Sequence, residues 1–367
     1  MIAVVTCGHR PDDERIYERE IKSLLRAGYK ITFFTRWKGD NYLSEENLWH
    51  RNYSQKDLSI REYTQGILRD FKVLKPSVVH IHEFELLPLA KKAKKLYNTK
   101  IIYDVHEANI ELWDTFSSKP KALKQVINKT LSQYEKRFLK IVDYVITTTP
   151  ALVNRYEKWG VKSKFVPNYP VTFPRGSKKS EIPIIIYHGQ ISLERGLEDL
   201  INALPPLVKK GLSFRVEMYG SERVSGTVNA LNGYINILHL NDIVKIHSQI
   251  PHSEMLTVLS KAHIAIIPFR DYPMFRIAIP VKMFEAMWAR CAIIASDLDS
   301  IREYGDEFIE LYPPGDVNAL SRVINKLLVN DGERKRMGRE GSRLIKEKYN
   351  WKKVEPTLLD IYEKVLG

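Results

Sequence analysis

The chain has 367 residues, 44% hydrophobic and 28% charged, with two cysteines, Cys7 and Cys291, and a formal net charge of +13 at pH 7. This length predicts two cores, the composition excludes a disordered or membrane-embedded body, and two distant thiols do not make a disulfide framework. With no basic leader and no apolar run of about 20 residues, the expected setting is the cytoplasm, extending to the inner face of a membrane should the positive charge seek anionic lipid.

Short β-branched runs alternate with amphipathic segments, the pattern of parallel strands joined by crossover helices. Strands are predicted over residues 2–6, 30–35, 78–81, 100–105, 144–147 and 163–166, with a helix over 14–27. Between Pro167 and Pro183 the chain is rich in turn formers, including Pro174-Arg175-Gly176, and loses its periodicity. That places a boundary at residue 170. The alternation restarts with strands over 182–187, 213–219, 243–246, 264–268, 292–295 and 308–311. Helices are expected over 193–204, halted by Pro205-Pro206, and over 281–289, with further helices filling the last fifty residues. The fold class is α/β, with two Rossmann-like, doubly wound parallel-sheet domains at 1–170 and 171–350 and a helix over 351–367 that crosses back toward the first.

The charge is lopsided: residues 1–170 hold 30 Lys and Arg against 20 Asp and Glu, or +10 of the +13. Such a domain suits an anionic membrane, a phosphate-bearing acceptor, nucleic acid or simply a well-solvated surface. No nucleic-acid-binding module accompanies the charge, and no nucleic-acid partner is expected. Between Lys119 and Lys140, Leu123, Ile127, Leu131, Tyr134 and Phe138 recur at helical spacing among five further lysines and arginines. Either an interfacial helix or a helix packed on its sheet by that stripe would give this pattern.

Ligands of open parallel sheets sit beyond the carboxyl ends of the strands. His9, His82-Glu83 and His106-Glu107 follow three predicted strands of the first half. Each alone could cap a helix or satisfy a loop, but together they favour a site. No His-x-x-x-His or Cys-x-x-Cys pairing supports a metal, and glutamates beside histidines equally suit sugar hydroxyls. In the second half, Gly189-Gln190, Arg195-Gly196 and Gly220 occupy the corresponding ends. An Arg in a first helical turn is adverse alone and welcome beside a diphosphate, although Glu194 and Glu198 could offset it locally. Lys282 and Glu285, three apart on a helix, could form an exposed ion pair, or Glu285 could accept both hydroxyls of a ribose. The absence of Gly-x-Gly-x-x-Gly weakens a dehydrogenase reading. Asp297-Leu298-Asp299 is read as a strand end and helix cap.

These residues carry a resemblance that covers nearly the whole chain. The opening His9-Arg10-Pro11-Asp12-Asp13-Glu14-Arg15-Ile16, then Val78-Val79-His80-Ile81-His82, Tyr103-Asp104-Val105-His106-Glu107 and Val166-Pro167-Asn168, resemble the signatures of the retaining glycosyltransferase family four. Tyr187-His188-Gly189-Gln190, Arg195-Gly196-Leu197 and Pro280-Val281-Lys282-Met283-Phe284-Glu285-Ala286-Met287 are similar to its donor-binding motifs. The resemblance implies a GT-B fold with facing domains across a cleft. It also implies a metal-independent, retaining transfer of a hexose or N-acetylhexosamine from a nucleotide-sugar donor, UDP-sugar favoured and GDP-sugar next, to a glycan or lipid-linked acceptor, with no cofactor. On the donor side it implies Gly189, Gln190, Arg195, Gly220, Ile250, Lys282 and Glu285, with His106 at the transferred sugar. Gly8, His9, Arg15, His82 and Glu107 fall on the acceptor side. Gln190 departs from the family's usual Arg, Arg195 from its Lys, and Ile277 from a second Glu. An epimerase of the same architecture is the alternative activity, and a basic nucleic-acid-binding protein the lesser one.

Overall fold

The computed structural model describes residues 1–39, 42–53, 58–171, 177–305 and 308–367, so Pro174-Arg175-Gly176 in the predicted boundary lies outside the described residues. The chain divides into two compact units, Met1–Val171 with Trp351–Gly367, and Thr172–Asn350.

The first unit is a parallel sheet of seven strands: β1 (Ile2–Val5), β2 (Ile31–Thr35), β3 (Leu48–Asn52), β4 (Val78–Ile81), β5 (Lys100–Val105), β6 (Tyr144–Thr147) and β7 (Ser163–Phe165), in the order β3-β2-β1-β4-β5-β6-β7. Every residue of β1, β2, β4 and β6 is buried, as helices on both faces require. Strand β3 was not predicted. It is an edge strand, Leu-Trp-His-Arg-Asn with only Leu48 buried, and lacks a continuous apolar run. The order reverses between β1 and β4, which opens a crevice at their carboxyl ends.

Residues 14–27 wind as a π-helix over Glu14–Ile21 and an α-helix over Lys22–Arg26, a form that gathers at functional sites. The wide turn sends Arg15, Arg19 and Glu20 inward. The last helix, Trp351–Leu366, packs on this unit: Trp351 Nε1 donates to Ser23 Oγ at 2.9 Å, and Tyr362 Oη meets His80 Nδ1 at 2.7 Å.

The second unit has six parallel strands: β8 (Ile184–His188), β9 (Arg215–Tyr219), β10 (Val244–His247), β11 (Ile264–Ile267), β12 (Ala292–Ser296) and β13 (Ile309–Tyr312), ordered β10-β9-β8-β11-β12-β13. The single helix expected over 193–204 is instead a 3-10 turn, Leu193–Arg195, and a short helix, Leu197–Asn202, divided by Gly196 at φ 68°. Pro205-Pro206 open a further helix, Pro205–Lys209, rather than halting one, because proline's missing N–H costs nothing in a first turn. Gly196 is required here: a Cβ would lie 1.8 Å from the Pro268 carbonyl oxygen.

Candidate functional site

In the second unit the carboxyl ends of β8, β9 and β10 surround a cavity of about 190 Å³, lined by residues that include Gly189, Gln190, Gly220, Gln249, Ile250 and His252. Two glycines make this geometry possible. A Cβ on Gly220 would fall 1.8 Å from the Gly189 carbonyl oxygen, and one on Gly189, at φ 120°, would fall 2.5 Å from Lys282 Nζ. Their bare backbones let the β8 and β9 loops touch and let Lys282 reach the strand end. There Lys282 Nζ donates to the His188 carbonyl at 2.5 Å and lies over the rings of Tyr187 and Phe269, 4.3 and 5.5 Å from their centroids. The exposed Lys282–Glu285 ion pair weighed from spacing does not form, because the lysine turns inward to that carbonyl. Burial, reinforced by nearby Arg195, pushes its ammonium well below the usual lysine range against the opposing pull of Glu285. A cation so placed gains greatly from an arriving anion.

The Arg195 guanidinium lies 4.8 Å from the Phe269 ring and 5.0 Å from the Phe275 ring, two rings stacked on each other, and these cation–π contacts orient it. Glu198, weighed as a local counter-charge for Arg195, pairs with Arg270 at 3.3 Å. Glu285 stands between two imidazoles, with His252 Nε2 at 2.8 Å from Oε1 and His188 Nε2 at 3.3 Å from Oε2. Burial drives the His188 pKa down to about 4, although Glu285 pulls it upward. It is therefore a neutral ring beside the carboxylate. Asp297 and Asp299 both bind Arg302, and the cap position belongs to Leu298, without a side-chain bond. The acids hold an arginine rather than cap the helix.

In the first unit, Glu83 accepts hydrogen bonds from the amides of Cys7 and Gly8, each at 3.0 Å, and from the Thr6 hydroxyl. The Gly8 amide is thus engaged by an internal carboxylate. His9 Nδ1 meets Asp13 Oδ2 at 3.2 Å. Burial lowers the His9 pKa, but its bond to Asp13 and the charge of Glu83 carry it above the ordinary value. His106 Nε2 lies 2.9 Å from His82 Nδ1 and 3.3 Å from Asp104 Oδ2, with its ring 4.8 Å from that of His9. Glu107 is exposed at the same strand end.

Two residues placed on the acceptor side are interior instead. Arg15, 4% exposed, forms a two-pronged pair with Asp104, 2.9 Å on each prong, and donates to the Val166 carbonyl and Asn168. His82 is likewise buried, its pKa lowered by burial to about 4. Both shape the site through Asp104 and His106. Glu20, His80, His82 and Asp104 carry donor atoms within 4.8 Å of one another. Arg15 is the cation of that group, at 2.9 Å from Asp104 and 3.2 Å from Glu20. The group packs around the Arg15–Asp104 pair and is only partly hydrogen-bonded: both Glu20 oxygens and the Nε2 atoms of His80 and His82 are buried without a hydrogen-bond partner among the described residues.

The structure thus gathers Gly189, Gln190, Gly220, Ile250, Lys282, Arg195 and Glu285 around the strand ends of one unit, and Gly8, His9, His106 and Glu107 around those of the other. His252 and Asp104 were missed as site residues. Asp104 was legible only as part of a motif, and no periodicity links His252 to Glu285, 33 residues away.

Two Rossmann-like units with polar strand-end sites define a glycosyltransferase of the GT-B class. Residues 14–169 match the model of Glycosyltransferase Family 4 and residues 170–344 that of Glycosyl transferases group 1. The chain belongs to these GT4-type glycosyltransferases. It is 31% identical over 133 residues to an MMP alpha-(1->4)-mannosyltransferase of Mycolicibacterium hassiacum, covering 35% of this chain and 31% of that protein. It is 24% identical over 185 residues to the alpha-D-kanosaminyltransferase of Streptomyces kanamyceticus, covering 50% and 46%. The chain therefore spans only about a third to a half of these curated relatives. Its fold is similar to sucrose-phosphate synthase from Thermosynechococcus elongatus (TM-score 0.80, 18% identity, 99% and 98% coverage). It is also similar to Anabaena HepE in complex with UDP (TM-score 0.74, 12% identity, 99% of each chain).

Proposed function

We propose that the protein moves a hexose or N-acetylhexosamine from a nucleotide diphosphate sugar to an acceptor hydroxyl, with retention of anomeric configuration and no metal. The observation that carries this reading is the convergence of a carboxylate, two cations and a cavity at one strand edge. The cavity between Gly189, Gln190, Gly220 and Ile250 suits a base, Glu285 accepts the ribose hydroxyls, and Lys282 and Arg195 take the diphosphate. UDP is the favoured base carrier and GDP the next, since HepE, of similar fold, is a UDP complex.

Breaking the bond from anomeric carbon to phosphate builds negative charge on the leaving diphosphate. Fixed cations in a partly dry site stabilise that charge without reorganising. The acceptor oxygen forms its bond to the anomeric carbon from the face the phosphate leaves, and its proton passes to a phosphate oxygen. In the first unit, His9, His106 and Glu107 offer donors and acceptors to sugar hydroxyls. A glycan or lipid-linked acceptor of surface-polysaccharide or glycolipid synthesis fits these groups and the basic charge.

The test is a thermal-shift screen of uridine, guanosine and adenosine diphosphates and their sugars, with and without EDTA, because a ligand of the native state raises apparent stability. Stabilisation by one nucleotide, unchanged by the chelator and lost in Glu285→Ala, is expected. A response to none of them, or one abolished by EDTA, overturns the reading. A product assay distinguishes transfer to an acceptor from epimerisation of the donor.

A further inference from the structure

The positive charge has one principal address. Residues 87–140 hold twelve Lys and Arg against five Asp and Glu, a net +7 of the chain's +13. Four of those five acids are already engaged. Asp104 binds Arg15, Glu135 is buried on the hydroxyls of Tyr103 and Tyr156, Glu111 pairs with Arg155, and Asp114 lies 3.9 Å from Lys124. The basic residues stand at the surface: Lys91, Lys92 and Lys95 on the helix Leu87–Tyr97, and Lys121, Lys129, Lys136 and Arg137 on the helix Lys121–Leu139, are exposed, with Lys91 and Lys136 lying over the rings of Phe138 and Trp159.

The second helix bears on both readings of its sequence. Of its 19 residues only Glu135 and Leu139 are buried. Ile127, Leu131 and Phe138 are half-buried, whereas Leu123 is 43% exposed and Val126 61%. Its amino-terminal half therefore presents aliphatic side chains to solvent among lysines. The neighbouring helix Asn109–Phe116 adds Ile110, Leu112, Trp113 and Phe116, none fully buried. Nucleic acid has no use for exposed aliphatic groups beside its phosphates, while a bilayer interface takes both.

We propose that this face, centred on Lys121–Leu139, docks the protein on an anionic lipid bilayer, with Leu123 and Val126 entering the interface and Lys121, Lys129, Lys136 and Arg137 over the headgroups. Among the described residues no helix is long and apolar enough to cross a membrane, so the attachment is peripheral and reversible. It does not depend on the transfer reaction.

The test is co-sedimentation of the full chain with vesicles of phosphatidylcholine alone or mixed with phosphatidylglycerol, at low and high salt. Binding to the mixed vesicles only, weakened by salt, is expected. At about 1 kcal/mol per basic residue near the surface, the triple variant K121E/K129E/R137E should lose at least about tenfold in binding, and L123S/V126S should lose binding with its charge intact. Both variants should keep the wild-type melting temperature, since these side chains are exposed, and that measurement identifies a folding failure. No binding to mixed vesicles overturns the proposal. So does undiminished binding by L123S/V126S, or equally tight binding to a DNA duplex, either of which would mark a general polyanion surface.

Discussion

His252 Nε2 lies 2.8 Å from Glu285 Oε1, and on the other side of the same carboxylate His188 Nε2 lies 3.3 Å from Oε2. A carboxylate held on one oxygen by His252 and flanked on the other by the buried His188 ring is already in place when a ribose arrives, which lowers the ordering cost of binding. His252→Ala is expected to weaken nucleotide diphosphate binding about tenfold, as loss of one charge-assisted hydrogen bond would. Glu285→Ala should weaken it further, and the double variant should be no worse than Glu285→Ala alone. Calorimetric titration of the three variants checks this, and additive losses would show that His252 acts independently of the carboxylate.

Lys282 is held below its ordinary pKa by burial and by Arg195, and a diphosphate at its ammonium would restore its hold on the proton. At pH values around and above that lowered pKa, donor binding is therefore expected to take up protons and to tighten as pH falls. Titrations in buffers of different ionisation heat measure the uptake directly. Lys282→Met should abolish it, and an unchanged uptake in that variant would place the proton elsewhere.

The glycine contacts predict opposite outcomes at a loop position and a helix position. Gly220→Ala must displace the Gly189 carbonyl 1.8 Å away, and a destabilisation of about 2 kcal/mol or more is expected, with loss of nucleotide response. Gly233→Ala, where nothing lies within 4 Å of the added carbon, should stabilise its helix by up to about 1 kcal/mol. Urea unfolding of both variants provides the comparison.

Arg15→Met leaves Asp104 buried without its cation. Removing one partner of such a pair costs about 3 to 5 kcal/mol, and Arg15→Lys should recover little, because an ammonium cannot reproduce the two-pronged contact. Equal stability of Arg15→Met and wild type would show that the pair is dispensable.

Burial lowers His82, His188 and His263 to about 4 from an ordinary 6.5. Their neutral forms belong to the native state. Above pH 6.5 both native and unfolded chains hold them neutral, and their contribution to stability is complete. As pH falls from 6.5 toward 4 the unfolded chain binds protons that the native chain refuses, so stability declines. The slope should approach about 1.4 kcal/mol per pH unit for each histidine, and below 4 this loss levels off. Denaturant unfolding across this range should show the decline, with a shallower slope in His188→Gln.

Among the described residues twelve of the thirteen strands were legible in the sequence, most of them as short apolar runs, because a strand covered on both faces must be apolar throughout. The edge strand Leu48–Asn52 was hidden because solvent covers part of it. The strand-end rule found His9, His106, Gly189 and Gly220, whose positions follow from chain order alone. The order of residues also exposed Glu285 and Arg195, through a resemblance that compares letters. What letters could not supply was direction. That Lys282 turns to a backbone carbonyl, that Arg15 and His82 face inward, and that His252 meets Glu285 across 33 positions are decided by packing. So too is the stripe at Lys121–Leu139, whose spacing is the same whether it is covered or bare. Sequence by itself determined which groups are present and at which strand ends they stand. Only the tertiary structure determined which are desolvated and which meet, because burial and hydrogen-bond geometry arise from segments that are distant along the chain.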